Sequence, residues 1–247
     1  MKITKKSILG DHDYNQKNYE EIGEIITDLI FGLLQSDPMN LVKIDINDSF
    51  AFVSQDFHSN DKLMIFIHGS GVVRAGQWAR KLIINNDLNL GTLIPDVLMA
   101  KSRGFGILVT NTNDNFRNGK PIKGCENAIN AGLTTWQKLI QDSHHQKIAI
   151  LAHSYGGNVS LKLAENYHQD FQERVFAVFL TDSAHSSSFS VKKGNWINFV
   201  ASSKALDEDL GQDKLGICVK SAGHKTHEWT PSTSRDCIFQ YLDKLTK

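Results

Sequence analysis

Ile148-Ala149-Ile150-Leu151 runs directly into Ala152-His153-Ser154-Tyr155-Gly156-Gly157, and a helical pattern from Gly157 to Tyr167 follows. The arrangement is small-x-Ser-x-Gly at a strand-to-helix turn, with alanine where the first glycine usually stands. Such a turn makes two backbone segments cross closely, so the residues two before and two after the serine, Ala152 and Gly156, must be small. It also lifts the hydroxyl clear of the sheet's carboxyl edge, and the following helix aims its first N–H groups there. A serine capping an ordinary helix would look similar locally. The preceding apolar strand and the two small residues favour the elbow.

Outward from this point the chain alternates strand, turn and helix. Short apolar runs rich in branched and aromatic residues occur at Leu63–Ile67, Phe105–Thr110, Val175–Leu180, Ile197–Val200 and Leu215–Val219. Their length favours strands over buried helices. Helical patterns cover Thr92–Ser102 with Pro95 in its first turn, Glu126–Gln141 and Thr233–Leu245, the last with Pro231 just ahead. Upstream, Ile22, Ile25, Ile26, Leu29, Ile30, Leu33 and Leu34 give Tyr19–Gln35 a helical apolar face that stops at Pro38. Leu41–Ile46 and Phe50–Ser54 flank the turn Asn47-Asp48 and read as an antiparallel entry to the sheet. Strands buried on both faces and alternating with helices imply an α/β fold, a mostly parallel central sheet covered on each side. No repeat or linker interrupts it, although Asn111–Lys123 is a polar loop, so residues 1–247 are expected to form one domain.

A serine nucleophile needs donors for the oxyanion that develops on its substrate, each worth roughly 10²–10³ in rate. The strand Met64-Ile65-Phe66-Ile67 ends in His68-Gly69-Ser70-Gly71, whose glycines allow close approach. The backbone N–H groups of Ser70 or Gly71, with that of Tyr155, are the expected donors. Of ten histidines, His68 and His153 sit inside motifs and are expected to support loops. His12, His58, His144, His145 and His168 lie in polar stretches and read as surface, and His185 as a loop residue. In sheets of this type the chain order is nucleophile, acid, histidine, which points past the last strand to His224 and His227. Spacing does not choose between them. Two acids are available, Asp182 at the end of Val175–Thr181 and Asp207 beyond Ile197–Val200. Asp207 occupies the commoner position, after the penultimate strand, whereas Asp182 could close an Asx turn.

Composition narrows the function classes. Among 247 residues, 27 basic and 27 acidic side chains leave a net charge of zero, so no broad basic field serves nucleic acid or an anionic membrane. Three cysteines, Cys125, Cys218 and Cys237, lack paired spacing and read as reduced thiols of a cytosolic protein. No CxxC or HExxH supports a metal site, and no cofactor is expected. Met1–Gly10 does not read as a signal peptide, and Ile25–Leu34, with Asp28 inside it, is too short to span a bilayer. Ser183–Gly194 is polar and short, which allows only a small cap.

The motifs together resemble a known family. Phe66 through Arg80, Ala152 through Gly157, Thr181-Asp182-Ser183 and Ser221-Ala222-Gly223 are similar to the Arb-type domain, an α/β-hydrolase-like family. It includes an Argonaute small-RNA chaperone subunit, animal cotranscriptional regulators and the carboxy-terminal domain of some histone deacetylases. The resemblance covers most of the chain from about Leu63. In the animal branch the pattern Ser-Ala-Gly-x-x-x-His-Glu implies His227 over His224, and a Leu-Asp pair implies Leu206-Asp207. That branch carries a longer basic insert where this chain has only Asn111–Lys123, so nuclear import and nucleic-acid contact through such an insert do not carry over.

Two functions follow as expectations. One is a serine hydrolase acting on an acyl ester, thioester or amide through Ser154, His227 and Asp207, with Asp182 and His224 as the alternative acid and base. The other, implied by the resemblance, is a non-catalytic scaffold in small-RNA silencing, chromatin or splicing regulation. Its partners would be proteins such as Argonaute or chromatin factors, in the cytoplasm or nucleus, with no direct nucleic acid and no membrane.

Overall fold

Leu63, Met64, Ile65, Phe66 and Ile67 are five consecutive residues with at most 1% exposure. Successive side chains of a strand point to opposite faces, and here they feed two separate cores. Met64 and Phe66 join one, while Leu63, Ile65 and Ile67 join the other. A strand buried on both sides belongs in the middle of a parallel sheet.

The computed structural model describes residues 12–185 and 194–247, with side chains from residue 19 onward. In chain order the first elements are α1 (His12–Gln35), β1 (Val42–Ile46), β2 (Ser49–Val53) and β3 (Lys62–Ile67). Then come α2 (Arg80–Asn85), α3 (Leu88–Gly91), α4 (Ile94–Lys101), β4 (Gly106–Val109), and the small hairpin β5 (Phe116–Arg117) and β6 (Lys120–Pro121). They are followed by α5 (Ala128–Leu139), β7 (Lys147–His153), α6 (Gly156–Asn166), α7 (His168–Arg174), β8 (Val175–Thr181) and β9 (Asn195–Val200). The chain closes with β10 (Asp209–Gln212), β11 (Cys218–Ser221), a 3-10 turn (His227–Trp229) and α8 (Thr230–Leu245).

Nine strands form one sheet in the order β1-β2-β4-β3-β7-β8-β9-β11-β10. From β4 to β11 all neighbours pair in parallel, while β1, β2 and β10 add antiparallel edges. This is the α/β-hydrolase arrangement with one extra edge strand. Ile26, Ile30 and Leu34 of α1, Val97 and Ala100 of α4, and Ile238, Phe239 and Leu242 of α8 cover one face. Ala131 and Trp136 of α5, Val159 and Leu163 of α6, and Phe171 of α7 cover the other.

Several expectations are corrected. Ile25 and Leu29, read as part of the docked face of α1, point outward at 65% and 43% exposure. The run Leu215–Val219 becomes strand only at Cys218. Asp213 Oδ1 accepts from the backbone N–H groups of Leu215 and Ile217 at 2.8 and 3.0 Å, which holds that stretch as a turn. Pro231 lies within the first turn of α8, which begins at Thr230. His145 is buried, bridging the Phe57 carbonyl at 2.8 Å and the Ser143 hydroxyl at 2.7 Å. The three cysteines are free thiols, and no helix among the described residues is long and apolar enough to cross a membrane. The N-terminal stretch Met1–Gly10 and most of the proposed cap at Ser183–Gly194 lie outside the described residues.

Candidate functional site

The turn between β7 and α6 puts Ser154 at φ 53°, in the left-handed region that non-glycine residues avoid. Two backbone bonds hold it there. Ser154 N–H donates to the Thr181 carbonyl at 3.0 Å, and Gly157 N–H donates to the Ser154 carbonyl at 3.0 Å. The close crossing is visible at Gly156, where a Cβ would fall 2.5 Å from the Ile67 carbonyl oxygen, and at Gly157, where it would overlap the Ser183 side chain. Strain concentrated at one residue and enforced by its neighbours makes Ser154 the candidate functional residue of this edge.

His227, at the head of the 3-10 turn, faces the same edge. Its Nδ1 lies 2.6 Å from Asp182 Oδ2. The hydrogen bond to Asp182 raises the imidazole pKa above its usual 6.5, against the opposing effect of burial. Asp182 is itself held. Burial pushes its carboxyl up, but the bond from His227 and a 3.0 Å bond from the Ala201 N–H to Oδ1 outweigh that, leaving it below the usual range. With Nδ1 engaged by a carboxylate, the proton sits on Nδ1 and Nε2 keeps its lone pair.

The two acids are therefore exchanged relative to the sequence expectation. Asp207 does not reach the histidine. Its carboxylate accepts from the Tyr241 hydroxyl at 3.0 and 3.2 Å and pairs with Lys220 Nζ at 3.1 Å, against α8. His224, the alternative base, stacks on Trp229 with ring centres 4.9 Å apart, and its Nδ1 accepts from the Thr226 N–H at 3.0 Å.

His153 and His68 flank the site from below. Burial pushes His153 down to about 3 and His68 down to about 4, so both are neutral. His153 Nδ1 bonds the Thr181 carbonyl at 2.9 Å, and its ring packs 4.6 Å from that of His227. His68 Nδ1 bonds the Gly69 carbonyl at 2.8 Å, and Asn113 Nδ2 donates to the same oxygen at 2.9 Å. Asn113 also donates to the Val73 carbonyl at 3.1 Å, while Asn111 Oδ1 accepts from the Ala75 N–H at 3.0 Å. Across a trans peptide the C=O and the following N–H point in opposite directions. Pinning the Gly69 carbonyl thus turns the Ser70 N–H away from His68 and Asn113. Asn113 was absent from the sequence expectation. Its signal was the run Asn111-Thr112-Asn113-Asp114-Asn115, because asparagine side chains readily bond nearby backbone.

Gly69 approaches Ser154 so closely that a Cβ would sit 3.0 Å from the serine Cβ and 3.5 Å from its Oγ. Gly71 is farther out, exposed, with φ 95° and open space around it. Tyr155 caps α6 and accepts from the Val159 and Asn158 N–H groups. Ser154, Ser70, His227, Trp78, Tyr19 and Arg80 are among the residues lining a cavity of about 230 Å³. Two larger hollows, of about 490 and 460 Å³, lie over Asp56 and Lys62 and beneath α8 beside Lys220. Neither holds a serine–histidine pair. A hydroxyl and a carboxylate-backed imidazole on the wall of one small cavity make a candidate site for acyl transfer.

Comparison with known proteins fixes the lineage. Residues 7–130 match the model of the Arb2 domain. Over 96% of its length the chain is 35% identical to the cotranscriptional regulator ARB2A homolog of Dictyostelium discoideum, covering 75% of that protein. The chain belongs to the Arb2 domain family. It is also 33% identical to the mouse cotranscriptional regulator ARB2A, over 96% of this chain and 73% of that one. Among solved structures, the histone deacetylase Clr3 superposes on 99% of this chain with a TM-score of 0.58 and 12% identity. This Arb2 protein spans 41% of the Clr3 chain, and at that identity the likeness shows the fold.

Proposed function

We propose that this chain is a regulator of gene expression of the Arb2 type that works through protein or chromatin partners, in the nucleus or cytoplasm, and carries a serine-hydrolase-type acyl site. The regulatory half rests on the relatives, whose names describe cotranscriptional regulation and no acyl reaction. The chemical half rests on one observation, the 2.6 Å His227–Asp182 pair sharing a cavity with Ser154.

In this reading Ser154 Oγ attacks the acyl carbonyl of an ester, thioester or amide. His227 Nε2 takes the hydroxyl proton and returns it to the leaving group, while Asp182 holds the ring and stabilises its charged form. The N–H groups of Ser70 and Tyr155 receive the oxyanion, and Asn113 with His68 keeps the Gly69–Ser70 peptide oriented. Water then releases the acyl group from Ser154.

The purified protein is treated with a fluorophosphonate and mapped by mass spectrometry. A single adduct on Ser154, absent from Ser154→Ala, is the expected result, and a folded protein that takes no label overturns the catalytic half. The second reading, a scaffold without chemistry, is favoured by the relatives' names. It predicts that Ser154→Ala keeps every partner and every cellular effect. Loss of the effects with complexes and fold intact excludes it.

A further inference from the structure

Arg80 is the buried one of two arginines that lack a carboxylate partner among the described residues; the other, the half-buried Arg74, bonds the Gly71 and Val73 carbonyls. Arg174, equally buried at 8% exposure, is gripped by both carboxylate oxygens of Asp170 at 2.6 Å. Arg235 pairs with Asp96 at 2.9 Å, Arg103 with Asp243 at 2.7 Å and Arg117 with Asp114 at 2.7 Å. Arg80, also 8% exposed, forms no ion pair among the described residues. One Nη donates to the Val72 carbonyl at 2.5 Å, and Nε is buried with no partner.

A buried charge is normally paired, since desolvation alone is costly. The fold nevertheless keeps a berth for this one. A Cβ at Gly23 of α1 would lie 2.7 Å from the guanidinium carbon and 3.1 Å from Nε, so glycine there leaves room for the group in its observed position. Burial acts most strongly against its charge, joined by the neighbouring Arg74, while Tyr19, Glu24 and Glu20 favour it. Arg80 and the exposed Lys81 line the Ser154 cavity, and Glu228 is the carboxylate on its wall. Two cations against one anion leave the cavity positive around an unpaired guanidinium.

We infer that the Ser154 cavity takes an anionic acyl substrate, whose remote carboxylate or phosphate supplies the missing partner of Arg80 with help from Lys81. This rests on the hydrolase reading of Ser154. At about 230 Å³ the cavity is smaller than the ~300–1,000 Å³ of drug-sized pockets, which suits a compact dicarboxylic half-ester better than a long fatty acyl chain. Guanidinium recognises planar carboxylate or phosphate oxygens in bidentate fashion, so a lysine at position 80 replaces it only in part.

The test has two arms. In the first, hydrolysis of 4-nitrophenyl hemisuccinate is compared with that of neutral 4-nitrophenyl butyrate. The wild type favours the anionic ester in kcat/KM. Arg80→Gln lowers that anionic-to-neutral ratio by roughly ten- to a hundredfold, mostly through KM, and Arg80→Lys restores part of it. Lys81→Gln, a surface change that keeps the fold if Arg80→Gln does not, lowers the ratio by about two- to fivefold.

In the second arm succinate and inorganic phosphate are titrated by calorimetry into Ser154→Ala, which cannot turn over. Arg80-dependent binding is expected, and the tighter anion tells carboxylate from phosphate. Arg80-dependent anion binding without any ester cleavage keeps the anion site and removes the hydrolase reading, and with it the acyl nature of the ligand. Cleavage of the neutral ester in preference, with neither anion bound, overturns the inference and leaves the hydrolase reading standing.

Discussion

Asp182 and Asp207 are near twins in backbone terms. Each follows a parallel strand at the carboxyl edge of the sheet, and each takes a left-handed φ, 44° and 67°. They differ in what lies across from them. Asp182 meets the ring of His227 at 2.6 Å beside Ser154. Asp207 meets Lys220 and Tyr241 and ties β11 to α8. The same residue type at the same kind of turn thus backs a histidine beside Ser154 in one case and forms a structural clasp in the other. Position along the chain does not separate them; the partner does.

The sharpest way to break this comparison is to neutralise each acid in turn. Asp182→Asn is expected to slow fluorophosphonate labelling of Ser154 by roughly 10³–10⁴, because the ring loses its orienting carboxylate. Asp207→Asn is expected to leave labelling within about threefold while costing at most about 1 kcal/mol of stability, as befits a half-exposed pair. Equal effects on labelling would erase the distinction.

A second contrast lies in packing. Gly156→Ala drives a methyl into the Ile67 carbonyl, where only backbone movement makes room. It should cost about 1–3 kcal/mol in chemical denaturation and disturb Ser154 labelling together with stability. A stability loss without any change in labelling would detach the elbow from the reaction.

Acidity gives a third. In the proposed reaction the neutral imidazole is the base, so labelling should rise with pH through an inflection above 6.5, the side to which Asp182 moves His227. Asp182→Asn should bring that inflection down, and Asp207→Asn should leave it in place. Stability follows the opposite course. A raised histidine stabilises the fold below 6.5 and loses that contribution as pH climbs through the folded value. The lowered Asp182 contributes above 3.8 and loses that as pH falls through its folded value. The gap in Tm between wild type and Asp182→Asn should therefore be widest between 3.8 and 6.5 and narrow above. A gap that widens above neutrality would contradict the pairing.

The smallest effect is expected at Tyr241→Phe, which removes one hydroxyl donor to Asp207. The loss should be about 0.5 kcal/mol in urea, the low end for a single partly exposed hydrogen bond, with labelling unaltered.

What the sequence disclosed follows the same division between local and distant chemistry. The elbow at Ser154 was legible because its requirements are local: an apolar strand, small residues at 152 and 156, and a helix after them. The parallel strands were legible because burial on both faces leaves unbroken apolar runs. The acid was not, because Asp182 and His227 lie 45 residues apart and spacing carries no information about which acid faces the ring. Its place after the penultimate strand favoured Asp207, and only the folded structure shows that Lys220 and Tyr241 engage it. The edge strand β10 is exposed throughout, so it has no apolar alternation to announce it. The short helices α2, α3 and α7 span at most seven residues, too few for a helical period to stand out. Asn113 hid in a loop whose polarity read as solvation, when its amide was holding the Gly69 carbonyl.

The most direct test of the central claim is a nitrogen-15 NMR titration of the histidine side chains in the wild type, Asp182→Asn and Asp207→Asn. The His227 ring is expected to titrate above 6.5 with its neutral proton on Nδ1, to fall in Asp182→Asn, and to stay unmoved in Asp207→Asn. An unshifted His227, or one that responds to Asp207 and ignores Asp182, would contradict the claim.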